Sequence, residues 1–109
     1  MKKLLLIVAL ALCSSTFAGS FEDMQLLDKE IKSLKSKLNT VYKKAYSQTE
    51  AKMELDASQK SWLKFKELQC GDFVVADTQG SPATVSYDLT CQSILYKQRI
   101  AFLEEMFNL

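Results

Sequence analysis

Residues 27–45, LDKEIKSLKSKLNTVYKKA, set the fold class. Apolar side chains recur at Leu27, Ile31, Leu34, Leu38, Val41 and Ala45, in steps of four and three, with lysines filling the intervening positions. That period matches the 3.6 residues of an α-helical turn and gives one amphipathic helix over about 22–46. The spacing also fits a coiled-coil seam, but three heptads in a short chain suit one helix of an intramolecular bundle.

Downstream, Ser47-Gln48-Thr49-Glu50 offers side-chain oxygens to cap a new helix near 49–70, with Leu55, Trp62, Phe65 and Leu68 as its apolar stripe. The short link implies that helices one and two lie antiparallel as a hairpin. The second helix has room to continue through Phe73-Val74-Val75-Ala76 until Gln79-Gly80-Ser81-Pro82 breaks it, Pro82 being the sole proline. A third helix over 84–107 is expected to turn Leu89, Leu95, Phe102 and Met106 inward. Trp62, Phe65, Tyr42 and Tyr46 read as a core aromatic layer where the hairpin closes, the competing reading being a ligand-stacking site. Asn39, an amide on a packed helix, needs hydrogen-bond partners and is expected to bridge to a neighbouring helix.

Upstream, Met1-Lys2-Lys3, the apolar run Leu4 to Leu12 and the small-residue stretch ending Thr16-Phe17-Ala18 have the three-part build of a secretory signal peptide. About nine apolar residues are too few to span a bilayer, which needs roughly 20. Cleavage between Ala18 and Gly19 leaves a single domain, 19–109, in the periplasm or secreted. Lipidation at Cys13 is the alternative, disfavoured because Leu12 is larger than the residue usual before a lipidated cysteine.

Cleavage removes Lys2 and Lys3 from 14 basic side chains, leaving 12 against 13 acidic ones, a balance without a nucleic-acid footprint. It also leaves Cys70 and Cys91 as an even pair bound for an oxidising compartment, where a disulfide is expected. Closing that loop stabilises a domain with a marginal core by about 3 kcal/mol on chain-entropy estimates. The class is therefore all-α: a three-helix antiparallel hairpin or bundle with one disulfide, preceded by a cleaved signal peptide.

No histidine is present, which excludes Ser-His-Asp and Cys-His nucleophile systems and the commonest metal ligand. Glu50, Glu54 and Asp56 lie among lysines and read as solvated helix charge. No catalytic residue, metal or cofactor is expected; the chain reads as a binding protein. Ten lysines and five acids lie between Asp28 and Lys66, whereas 67–96 holds Glu67, Asp72, Asp77 and Asp88 without a basic residue. Interleaved acids on helix one argue against a lipid-binding basic face.

Leu38-Asn39-x-x-Tyr42, Leu55-x-x-x-Gln59-x-x-Trp62-x-x-Phe65-Lys66-x-x-x-Cys70, and Cys91 followed by Arg99 and Leu103 resemble the LprI family of bacterial lysozyme inhibitors over roughly 36–103. Lys66 stands where arginine is usual, Tyr96 where threonine is usual, and an N-terminal cysteine pair common in the family is missing. The resemblance implies a lysozyme inhibitor that protects peptidoglycan, with the shared residues mostly in the core. Many lysozymes are cationic, so Glu67, Asp72, Asp77 and Asp88 are the candidate partner-binding residues, set against the reading that they form a solvated acidic lobe. Inhibition would come from occluding a cleft that works through paired carboxylates. The alternative is a structural or accessory envelope protein, immunity or chaperone-like, that binds another exported protein through the hairpin. Oligomeric state is left open.

Overall fold

The computed structural model describes residues 20–109; the expected signal peptide and Cys13 lie outside them. Helix α1 spans Ser20–Gln48 and α2 spans Lys52–Lys66. A π-helical segment, Glu67–Phe73, leads without a break into the short α3, Val74–Thr78, and after a turn α4 runs Thr84–Phe107. There is no strand among the described residues.

The turn between α3 and α4 is closed by a pair of bonds typical of a Schellman ending: Gly80 N–H to Val75 C=O (3.2 Å) and Gln79 N–H to Ala76 C=O (3.3 Å). Gln79 and Gly80 both take positive φ there, so the helix stops before Pro82 as the sequence implies. At the other turn Thr49 Oγ1 accepts the Ala51 N–H (3.0 Å), which prepares the start of α2.

Pairings fix the directions. Tyr42 meets Asp56 across the first turn, so α1 and α2 run antiparallel. Cys70 meets Cys91, and Gln59 meets Arg99, so the α2 to α3 rod and α4 also run antiparallel. Glu30 reaches Ser93 and Lys97, and Lys37 lies 4.0 Å from Glu104, so α1 and α4 run parallel. The described residues form an up-down-up bundle in which α1 packs chiefly along α4 and touches α2 far less.

The core follows from the opening stretch. Ile31, Leu38 and Val41 of α1 are buried against Tyr96, Ile100 and Leu103 of α4, with Leu27, Leu34, Leu55, Trp62 and Leu89 packed around them. On α4 the inward positions differ from those expected: Leu89 and Leu95 are half-buried, but Phe102 and Met106 face solvent. α4 is apolar on most of its circumference, so its sequence does not single out the stripe that meets α1.

The π segment has a geometric cause. Trp62, Lys66, Cys70, Val74 and Thr78 all turn inward at a strict spacing of four. Four residues of α-helix overshoot a full turn by about 40°, so the row would swing by about 160° from Trp62 to Thr78. The i→i+5 winding of Glu67–Phe73 takes more residues per turn and reverses that drift, keeping the row on α4.

Candidate functional site

Most residues of the resemblance prove to be mutual supports. Arg99 Nε donates to Gln59 Oε1 (2.9 Å) and Arg99 Nη2 donates to Ser58 Oγ (3.0 Å), while the guanidinium lies 5.6 Å from the Phe102 ring centre. Burial pulls the Arg99 pKa below its ordinary value, opposed by the charge of Tyr42. One turn on, Trp62 meets Tyr96 edge-on at 5.5 Å between ring centres. Lys66 Nζ then donates to Tyr96 Oη (3.0 Å) and sits 4.9 Å from that ring's centre. Lys66 and Tyr96, two of the three departures from the resemblance, therefore touch each other.

Below these, the Cys70–Cys91 disulfide spans a Cα separation of 5.4 Å. Gln59–Arg99, Trp62–Tyr96, Lys66–Tyr96 and Cys70–Cys91 form a ladder joining the second rod to α4. Leu38 and Leu103 are buried, and Leu55 and Tyr42 pack against the core. The Tyr42 hydroxyl donates to Asp56 Oδ1 (3.2 Å), and burial together with the Asp56 charge raises the Tyr42 pKa.

Two members of the resemblance fall outside the core. Asn39 is exposed and does not face a neighbouring helix as expected, because α1 buries only its Ile31–Leu38–Val41 side. Phe65 is 50% exposed, one position round from the inward row of Trp62 and Lys66. The expected aromatic layer is accordingly two separate contacts: Tyr42 pairs with Tyr46 at 6.0 Å, and Trp62 pairs with Tyr96.

The four candidate acids divide. Glu67, Asp72 and Asp88 line one shallow depression of about 390 Å³ with Lys66, Cys70, Gly71 and Gln92. Its one cation, Lys66, is turned to Tyr96, and Asp88 accepts a hydrogen bond from Gln92 (2.9 Å). Lys64 lies 3.9 Å from Glu67 in an exposed pair, a contact of about 0–1 kcal/mol that leaves the acid available. Asp77 lies elsewhere, at a neighbouring apolar groove. Asp72 and Asp77 are five residues apart, too far round the rod to share a face.

The disulfide forms the wall between these two surfaces, Cys70 lining the acidic depression and Cys91 the groove. Sequence reasoning missed the groove because it assigned Phe65 to the core. The exposed aromatic spacing of Phe65 and Phe73, eight residues apart and off the inward row, carries that information.

Fold and surface together define a disulfide-pinned helical bundle whose recognisable side chains brace the helices and whose open surfaces are an acidic depression and an apolar groove. The sequence profile described as Lysozyme inhibitor LprI matches residues 13–103, and the chain belongs to this family. The match begins well before the 36–103 stretch that carries the quoted motifs. No curated protein and no solved structure matches the chain. No helix among the described residues is long and apolar enough to cross a membrane.

Proposed function

We propose that this chain is an exported inhibitor that binds a cationic cell-wall hydrolase through the acidic depression, covers the hydrolase cleft and so shields peptidoglycan. It works by binding and performs no reaction of its own. The observation that carries the reading is the convergence of Glu67, Asp72 and Asp88 beside the disulfide, in a part of the chain without basic residues between 67 and 96. Family membership supports the class of partner.

A surface of this sign attracts a basic partner over a Debye length, about 8 Å at physiological salt, and chiefly raises the association rate. Asp77 is not part of the depression, so it is not required for this contact. Export rests on the amino-terminal pattern of residues 1–18 and on the disulfide, which suits an oxidising compartment.

The test mixes the purified, oxidised exported protein with lysozymes and follows lysis of a cell-wall suspension. Dose-dependent inhibition is expected, and it should be lost in the triple reversal Glu67→Lys, Asp72→Lys, Asp88→Lys while the helical spectrum is unchanged. Absence of inhibition at large excess of folded protein, across lysozymes of different classes, overturns the proposal and favours an accessory envelope protein with another exported partner.

A further inference from the structure

The disulfide's other side carries a surface that the acidic depression does not explain. Phe65, Phe73, Tyr87 and Ile94 are 50%, 55%, 60% and 50% exposed, and they line one groove of about 440 Å³ between the second rod and α4. Buried Val74 and half-buried Leu95 and Cys91 form its floor. Four large apolar side chains from two elements, held half-open around one concavity, form a contiguous patch, whereas singly scattered apolar residues would need no explanation.

The groove has a length and a polarity. Phe65 and Gln98 mark one end, and Asp77 and Tyr87 mark the other. Twelve residues of helix separate Phe65 from Asp77, at most about 18 Å at the α-helical 1.5 Å per residue since the π winding rises less, or about three turns of a docked helix. Asp77 is the sole charged residue of the lining, and among the described residues it takes part in no ion pair. The rest of the polar rim is neutral: Gln69, Thr78, Thr90 and Gln98. With no lysine or arginine from 67 to 96, the Asp77 end favours a cationic terminus, whereas Lys64, Lys66, Lys97 and Arg99 flank the Phe65 and Gln98 end in sequence.

We infer that this groove is a docking site for an amphipathic protein segment of about three helical turns that inserts its apolar side chains between Phe65 and Ile94 and places a lysine or arginine against Asp77. Apolar anchors supply the affinity and the charge at one end sets the direction of docking, as in other helix-in-groove contacts. The inference goes beyond the electrostatic contact at the depression and stands whether or not the partner is a lysozyme.

The probe is a labelled 14-residue peptide, with leucines at i, i+4, i+7 and i+11 and two arginines at one end, titrated into the oxidised chain by fluorescence anisotropy. Saturable binding is expected. Ile94→Glu and, independently, Phe65→Asp should each weaken it at least about tenfold, since each sets an unpaired charge in the apolar contact away from the arginines. Both positions are exposed, so the fold and disulfide should survive, which circular dichroism and thiol titration check. Asp77→Asn should weaken binding by up to about fivefold and flatten its salt dependence, the range for an exposed ion pair. A spin label beside the arginines should broaden Tyr87 resonances much more strongly than those of Phe65. Equal binding of a peptide with glutamates in place of the arginines, or binding unmoved by both groove variants, overturns the inference. So does a concentration-dependent dimer of the chain alone that Ile94→Glu dissolves, because the groove would then hold a second copy.

Discussion

Lys66 and Tyr96, two of the positions at which the sequence departs from the resemblance, touch each other in the structure, and each supplies what the other needs. A lysine here has one ammonium to satisfy; the Tyr96 hydroxyl accepts from it at 3.0 Å and the ring face lies under it at 4.9 Å. The pair is therefore coupled. In a double-mutant cycle on Lys66→Met and Tyr96→Phe, read by urea denaturation, the expected coupling is about 0.5–1.5 kcal/mol, the range of a hydrogen bond, since phenylalanine keeps the ring face. Additive losses would mean that the hydroxyl bond contributes nothing. The motif Gln59-x-x-Trp62-x-x-Phe65-Lys66-x-x-x-Cys70 gives the side chains of this ladder in the sequence, but not their partners. Arg99 and Tyr96 are on another helix, and pairing across helices depends on a register that no local spacing contains.

Among the elements, α1 was legible residue by residue. Leu27, Ile31, Leu34, Leu38, Val41 and Ala45 are all buried or half-buried, since a helix with one apolar stripe declares its inner face. Which helix covers that face was not legible: the short first turn points to α2, yet α4 takes most of the contact. The π segment was also hidden, although the four-residue spacing that demands it was present in Trp62, Lys66 and Cys70. Gly71, inside that segment, does not take positive φ, and a Cβ there meets nothing within 4 Å. Its missing side chain thus costs backbone entropy without a steric return. Gly71→Ala should raise stability by about 0.4–1 kcal/mol, measured as a higher denaturant midpoint with the disulfide intact. A loss of stability would show that the π winding needs glycine.

Contact between α1 and α4 also carries a pH signature. Glu30 Oε1 lies 2.6 Å from Lys97 Nζ and accepts a hydrogen bond from Ser93 Oγ. The Lys97 hydrogen bond, with smaller help from its charge and from Ser93, holds the Glu30 carboxyl below its ordinary value of 4.5 against the opposing effect of burial. A group whose folded pKa is depressed stabilises the fold fully above its unfolded pKa and loses that contribution as pH falls through the folded value. Asp56, lowered by Lys60 and by the Tyr42 hydroxyl, has the same sign at the α1–α2 turn. The thermal midpoint of the parent should exceed that of Glu30→Gln at pH 7, and the gap should close as pH falls below 4.5. A gap that stays constant down to pH 3 would assign the difference to packing.

At the scale of the whole molecule, charge is sorted by region: ten lysines against five acids between Asp28 and Lys66, then four acids without a base to Tyr96. This asymmetry was readable from the sequence, and the structure refines it by gathering three of the four acids and setting Asp77 apart at the groove. For a cationic partner the two regions act in opposite directions, the depression attracting and the lysines of α1 repelling. Lys29, Lys32 and Lys43 lie on the exposed side of α1, away from its buried stripe. Replacing these three with glutamine leaves the depression untouched and removes repulsion, so association with a basic lysozyme should quicken at low salt, with dissociation nearly unchanged. Reversal of Glu67, Asp72 and Asp88 should slow association, and both effects should fade as salt shortens the screening length to about 3 Å at 1 M. Stopped-flow association rates across a salt series separate the possibilities. If the glutamine variant associates more slowly, the basic helix is itself the contact surface, and the partner presents an anionic face to α1 instead of a cationic one to the disulfide lobe.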